Sequence, residues 1–255
     1  MTKQSDLPYC GAPPLPEDLL FRWNFDAALI VVMASLLLLQ IVVLRQSSEL
    51  RTKSSSLVAG WALLFILFIS PFCALTSALF STRVAHHVLL VAVVAPLLVL
   101  SLPERWRHIR FSPSMLGALF VAQTLCFWLW HAPAAYALAL QSSAAYWVMQ
   151  ASLIISATLL WLAILSRATP LTSSAGLLLG AVIQMGLLGA LLTFARAPLY
   201  LAHLGVTEPF GLTAHADQQL AGLIMWVPAS IPYVYAAIAL MVRQLARSDR
   251  TEVVC

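Results

Sequence analysis

Seven long apolar runs, separated by short segments that hold nearly all the charge, constrain this chain more than any motif in it. The runs are Ala27–Leu44, Leu57–Leu79, Val84–Leu102, Met115–Leu140, Ala144–Leu165, Gly176–Tyr200 and Gln218–Val242. About 20 residues of helix cross a hydrocarbon core, so each run is of spanning length or close to it. Backbone N–H and C=O groups in lipid must pair within their own segment, which leaves helices as the way to satisfy runs of this kind. Only 9% of the 255 residues are charged, against about a quarter in a soluble domain, too few to coat a water-facing surface. The expectation is an all-α polytopic membrane helix bundle of seven transmembrane helices.

Basic residues set the expected orientation. Of the fourteen Lys and Arg residues, ten fall in one set of alternating segments: Arg45, Arg51, Lys53, Arg105, Arg107, Arg110, Arg167, Arg243, Arg247 and Arg250. The other set holds Lys3, Arg22, Arg83 and Arg196. The positive-inside rule assigns the first set to the cytoplasm. Residues 1–26 are then an external tail, 27–242 the seven-helix domain and 243–255 a cytoplasmic tail. The net charge of +4 lies in loops, where it orients the chain in lipid and gives no surface for nucleic acid. Pro8, Pro13, Pro14 and Pro16 interrupt the first 26 residues, so no cleavable signal peptide is expected.

Two runs are long and carry a late proline, Pro133 and Pro198. Their helices are expected to kink or end there. Small residues at helical spacing (Gly176 and Gly180, Gly186 and Gly189, Ser152 and Ser156) are expected to let neighbouring helices approach. The four cysteines, Cys10, Cys73, Cys126 and Cys255, form no CxxC, which argues against a thiolate metal motif and a dense disulfide framework.

Topology gathers five of the six histidines near the external face. His86 and His87 open the third run, His131 lies late in the fourth, and His203 and His215 precede the seventh. His108 falls in a basic cytoplasmic loop. An ionisable group at membrane depth usually faces a bundle interior or a polar cavity, and His is the commonest metal ligand. His87 and His131, flanked by apolar residues, therefore mark a candidate polar site. Adjacent residues point about 100° apart on a helix, so one of His86 and His87 is expected to face lipid headgroups or a neighbouring helix. His203 and His215 read as interfacial groups bonded to headgroups or water. Asp217 reads as an N-cap or first-turn acid of the seventh helix, with Gln218 and Gln219 beside it. Met225, Met149 and Cys73 add soft side chains at the outer level, and imidazole with thioether suits Cu(I). Methionine is otherwise core filler, and Trp128 and Trp130 are otherwise an interfacial belt. No Walker A, HExxH or GxSxG motif is present, so no enzymatic activity is indicated.

Four segments occur in one order: Ser70-Pro71 through Ala95-Pro96-Leu97-Leu98; Trp128-Leu129-Trp130-His131-Ala132-Pro133; Gly189-Ala190-Leu191-Leu192-Thr193-Phe194-Ala195 with Pro198-Leu199-Tyr200; and Asp217-Gln218-Gln219-Leu220-Ala221-Gly222-Leu223-Ile224-Met225-Trp226-Val227-Pro228. Together they resemble the multi-helix cytochrome c oxidase assembly family, the caa-type CtaG proteins, over residues 57 to 242. The resemblance implies a non-enzymatic helper in the bacterial inner membrane that handles copper for the oxidase at the periplasmic face. Its implied partners are oxidase subunits or their precursors, and membrane lipid. The resemblance retains His87, His131 and the Asp217–Gln219 run, and the copper candidates are His86, His87, His131, Asp217 and Met225, with Gln218, Gln219 and Trp130 nearby. Arg83, Tyr146 and Gln150 stand where the family usually carries histidines. Either the metal site is rebuilt with other groups, or the chain is a relative that binds no copper. Two further readings stay open: a metal-free structural subunit or scaffold of a respiratory complex, and a quinone- or haem-binding protein using Trp128, Trp130 and His131.

Overall fold

The computed structural model describes residues 7–252, with backbone alone for 247–252. Lys3 and Cys255 lie outside the described residues, as do the side chains of Arg247 and Arg250. Among the described residues the chain is all-helical, without a strand. Its helices are α1 (Ala27–Gln46), α2 (Leu50–Phe68), α3 (Pro71–Ala78), α4 (Phe80–Leu100), α5 (Pro113–His131), α6 (Pro133–Gln141), α7 (Ser143–Leu165), α8 (Leu171–Phe194), α9 (Ala214–Trp226) and α10 (Ser230–Glu252). Six helices, counting α9 and α10 as one span, are long and apolar enough to cross a membrane. A seventh span results if α2 and α3, bent by 49° at a short break, are taken together.

Breaks within the apolar runs have local causes. The second run, expected as one helix, divides at Ser70-Pro71, where Ser70 caps Phe72 N and Pro71 takes the first helical position. The fourth ends at His131, because Pro133 supplies no N–H and starts a new short helix, as its position predicts. The seventh is interrupted between Trp226 and Ser230, around Pro228. Helix α2 begins at Leu50, seven residues before the apolar run, so the polar stretch from Arg51 to Ser56 is helical too.

Helices α4 and α7 are the most buried spans and α1 the least. Midway along α4, Leu90–Val94 forms a π turn, and the indole N–H of Trp161 on α7 donates to the Val91 carbonyl at 2.8 Å. Helix α9 lies against α8 at a close crossing of Gly189 and Gly222, where a Cβ on Gly222 would come within 2.5 Å of the Gly189 carbonyl oxygen. Gly180 meets the Phe120 ring, whereas Gly176 faces open space and packs nothing. At the basic end, Glu104 takes Lys53 at 3.0 Å, Arg167 at 2.5 Å and Arg107 at 3.6 Å. Burial raises its pKa, but the Lys53 hydrogen bond and the three cations outweigh this and hold the carboxyl below its ordinary value. Three loops that the sequence assigns to one face are thereby tied together.

At the opposite end, Cys10 and Cys73 form a disulfide, which no CxxC spacing could announce. The Cys73 thiol is therefore engaged, and the expectation that it is a free soft ligand is corrected. Tyr9 beside it stacks on Tyr146 at 4.8 Å, and burial pushes the Tyr9 hydroxyl up to about 12. The tail thus covers the bundle at this end.

Candidate functional site

The site is built on the first two turns of α4. Leu79 is extended, so α4 starts abruptly and leaves its first N–H groups without intrahelical partners. Asp217, fully buried on α9, supplies them from across the bundle. Its carboxylate accepts Phe80 N at 2.6 Å, Ser81 N at 3.2 Å and the Ser81 hydroxyl. The expected N-terminal acid is thus a cap for a different helix from its own. His203 anchors the preceding turn: Nδ1–H donates to Ala78 O at 2.9 Å, and Nε2 accepts the Tyr136 hydroxyl at 2.6 Å. Burial lowers the His203 pKa, opposed by the Ala78 hydrogen bond and by Asp217.

So held, α4 points Arg83, His86 and His87 into the protein. His87 Nδ1 lies 3.5 Å from His131 Nε2 on α5. His131 Nδ1–H donates to Phe127 O at 2.7 Å, which fixes its tautomer and leaves the Nε2 lone pair toward His87. The Tyr200 hydroxyl donates to the His131 carbonyl at 2.5 Å, taking up an acceptor that the Pro133 break sets free. A separation of 3.5 Å is long for a hydrogen bond between two nitrogens, so the pair leaves lone-pair capacity unused.

Unused capacity is the signature of this layer. His87 Nε2, both ring nitrogens of His86, and Nε and Nη1 of Arg83 have no hydrogen-bond partner. Arg83, His86, His87 and Gln150 are each at most 1% exposed. The Arg83 guanidinium lies 5.3 Å from the Tyr146 ring centre, and no carboxylate pairs with it among the described residues. Each stranded buried polar group costs about 1–3 kcal/mol, more for a charge, so the clustering calls for a polar occupant. His86 does not face headgroups. Its ring packs edge-on to Phe68 at 5.0 Å, against the neighbouring helix.

Among the described residues, no three His, Cys, Asp or Glu side chains converge as metal ligands. His87 and His131 are brought together, while Gln218, Gln219 and Trp130 are hydrogen-bonded elsewhere. Gln218 accepts Leu199 N at 2.6 Å and donates to Leu192 O at 3.2 Å, while Gln219 donates to Thr193 O at 3.4 Å. The Trp130 indole donates to Ser152 Oγ at 2.9 Å and that of Trp128 to Gln184 at 3.0 Å. Met225 is fully buried in the core. His203 is 1% exposed, so it is not the headgroup-facing residue expected of it, while His215 is half-buried and donates from one ring nitrogen to Ala195 O at 2.9 Å. Sequence reasoning missed Ser81, Tyr136 and Tyr200, whose roles depend on partners 67 to 136 positions away.

The family model of the cytochrome c oxidase caa3 assembly factor matches residues 35–247. No curated protein and no solved structure matches the chain.

Proposed function

This chain belongs to the cytochrome c oxidase caa3 assembly factor family, and from that premise we propose that it receives Cu(I) between His87 and His131 at the outer side of the bacterial inner membrane, for delivery to the oxidase. The observation that carries the reading is the buried His87–His131 pair, with one tautomer fixed and lone-pair capacity unused. Neutral imidazole suits Cu(I). Arg83, one turn before His87 on the same face of α4, favours a monovalent over a divalent ion by its fixed charge. The copper is cargo. The protein's part is to hold two nitrogens at a set separation, keep water away from them and release the ion to oxidase components.

Orientation belongs to the same proposal. The Cys10–Cys73 disulfide supports an external tail, because disulfides persist in oxidising compartments. The convergence of Lys53, Arg107 and Arg167 at the other end supports a cytoplasmic assignment there.

The ligand assignment is tested by loading detergent-purified protein with copper under ascorbate and measuring bound metal in the wild type and in a His87→Ala/His131→Ala double variant. Loss of copper in the variant is expected. Equal copper in both, or none in either, overturns the assignment. A second reading, a metal-free scaffold for oxidase assembly, is favoured by one observation: among the described residues no third His, Cys, Asp or Glu side chain converges on the pair. That reading expects assembly to survive in the double variant.

A further inference from the structure

At the basic end, α7, α8 and α10 frame a small pocket at the level where their candidate spans end. Its walls are apolar at Leu171 and Leu240 and cationic at Arg167 and Arg243. The volume of about 60 Å³ holds about four water-sized groups, as many as the oxygens of one phosphate. Hydroxyls that reach the pocket are committed to carbonyls: Ser166 donates to Ile109 O at 2.6 Å and Ser174 to Ile164 O at 2.9 Å. The two guanidinium groups are its charged donors.

Charge is out of balance here. Lys53, Arg107 and Arg167 share the one carboxylate of Glu104, and Arg243 has no carboxylate partner among the described residues. Glu49 accepts the Glu104 N–H and pairs with none of these cations. Arg107 is 6% exposed, 3.6 Å from Glu104, and its Nε and Nη2 have no partner. Burial lowers its pKa, Glu104 opposes this, and Arg243 and Arg167 lower it further, so the three guanidinium groups repel one another. An anion at Arg167 and Arg243 would relieve that repulsion, and the guanidinium fork matches two phosphate oxygens. The pocket's lining then narrows the class. Among the described residues no aromatic ring lines it to stack a base, and no Asp or Glu lines it to meet a headgroup ammonium. Exposed Ile238 and Met241, just before Arg243 on α10, continue an apolar surface toward the hydrocarbon.

We propose that Arg167 and Arg243 hold the phosphate of one anionic phospholipid in this pocket, with its acyl chains along α10. The site stands at the end of the bundle away from the His87–His131 pair and does not depend on copper. A bound phosphate ties α10, which no ion pair holds among the described residues, to the Glu104 cluster through Arg167.

The full chain in a neutral maltoside detergent is titrated with dioleoyl phosphatidylglycerol, and bound lipids are counted by native mass spectrometry. One lipid is expected to bind saturably, and about fivefold more weakly in Arg243→Gln, the contribution of one interfacial cation. Arg45→Gln removes an exposed charge of the same end outside the pocket and is expected to bind as the wild type does. Dioleoyl phosphatidylethanolamine is expected to bind distinctly more weakly, and inorganic phosphate at equal concentration is expected not to compete. Wild-type affinity in Arg243→Gln, or equal weakening in Arg45→Gln, overturns the proposal, because the basic face as a whole then attracts the lipid. Equal binding of phosphatidylethanolamine overturns the anionic-head assignment. Competition by inorganic phosphate overturns the lipid and assigns the pocket to a free anion. Melting curves without added lipid confirm that both variants are folded before the titrations are compared.

Discussion

Asp217 separates a structural from a metal-binding account of this face, and its substitution can be worked through quantitatively. In Asp217→Ala, Phe80 N–H and Ser81 N–H lose their acceptor in a site with no exposure. Each stranded buried donor costs about 2 kcal/mol, so a loss of about 4 kcal/mol is expected. For a chain of this size that corresponds to a fall in Tm on the order of 10 °C. Asp217→Asn retains one acceptor oxygen and should lose about half as much. The assay is thermal unfolding in detergent, followed by intrinsic fluorescence, with bound copper measured on the same samples. The expected order of stability is wild type, Asn variant, Ala variant, with copper retained wherever the protein is folded. The reasoning is refuted if Asp217→Ala melts within about 1 kcal/mol of wild type, or if Asp217→Asn loses copper while keeping wild-type stability. The second result would make Asp217 a ligand.

Three further outcomes follow from the packing. The disulfide closes a separation of 63 residues, worth about 4 kcal/mol by chain entropy. A thiol-reactive polymer should therefore add to Cys10 and Cys73 in unfolded protein only after reduction, and addition without reductant would contradict the bond. Gly222→Ala would drive a methyl into the Gly189 carbonyl and Thr193, costing about 1–3 kcal/mol as overpacking; unchanged melting would show that the α8–α9 crossing is looser than described. Glu104 has its pKa lowered in the folded state, so its contribution is present above its ordinary value of 4.5 and lost as pH falls through the folded value. The stability gap between wild type and Glu104→Gln should close on acidification below that value, and a constant gap down to pH 3 would refute the role of the cluster.

Much of the frame was legible in the chain, because apolar length and loop charge act one segment at a time. The seven runs reappear as six spans and a bent pair, and Pro133 ends α5 as its position predicts. The break at Ser70-Pro71 carried a local signal, a capping serine before a first-turn proline, that hydropathy alone passes over. His87 and His131 could be nominated as deep imidazoles, but their pairing could not, since it depends on how α4 and α5 sit together. Asp217 shows the same limit more sharply. Its sequence neighbours suggest the start of its own helix, while its partners are Phe80 and Ser81, over 130 residues earlier.

The wide turn at Leu90–Val94 bears on the histidines without containing a polar side chain. A π turn accommodates one residue more than an α turn, and each helical residue advances the chain by about 100° around the axis. Removing one residue there would turn the outer end of α4 against its inner end by that angle. Arg83, His86 and His87 would swing together away from their present neighbours, although none of them had been altered. The facing of His87 and His131 is therefore written in the number of residues between Leu90 and Val94, and a deletion among those valines would disconnect the pair as completely as replacing a histidine.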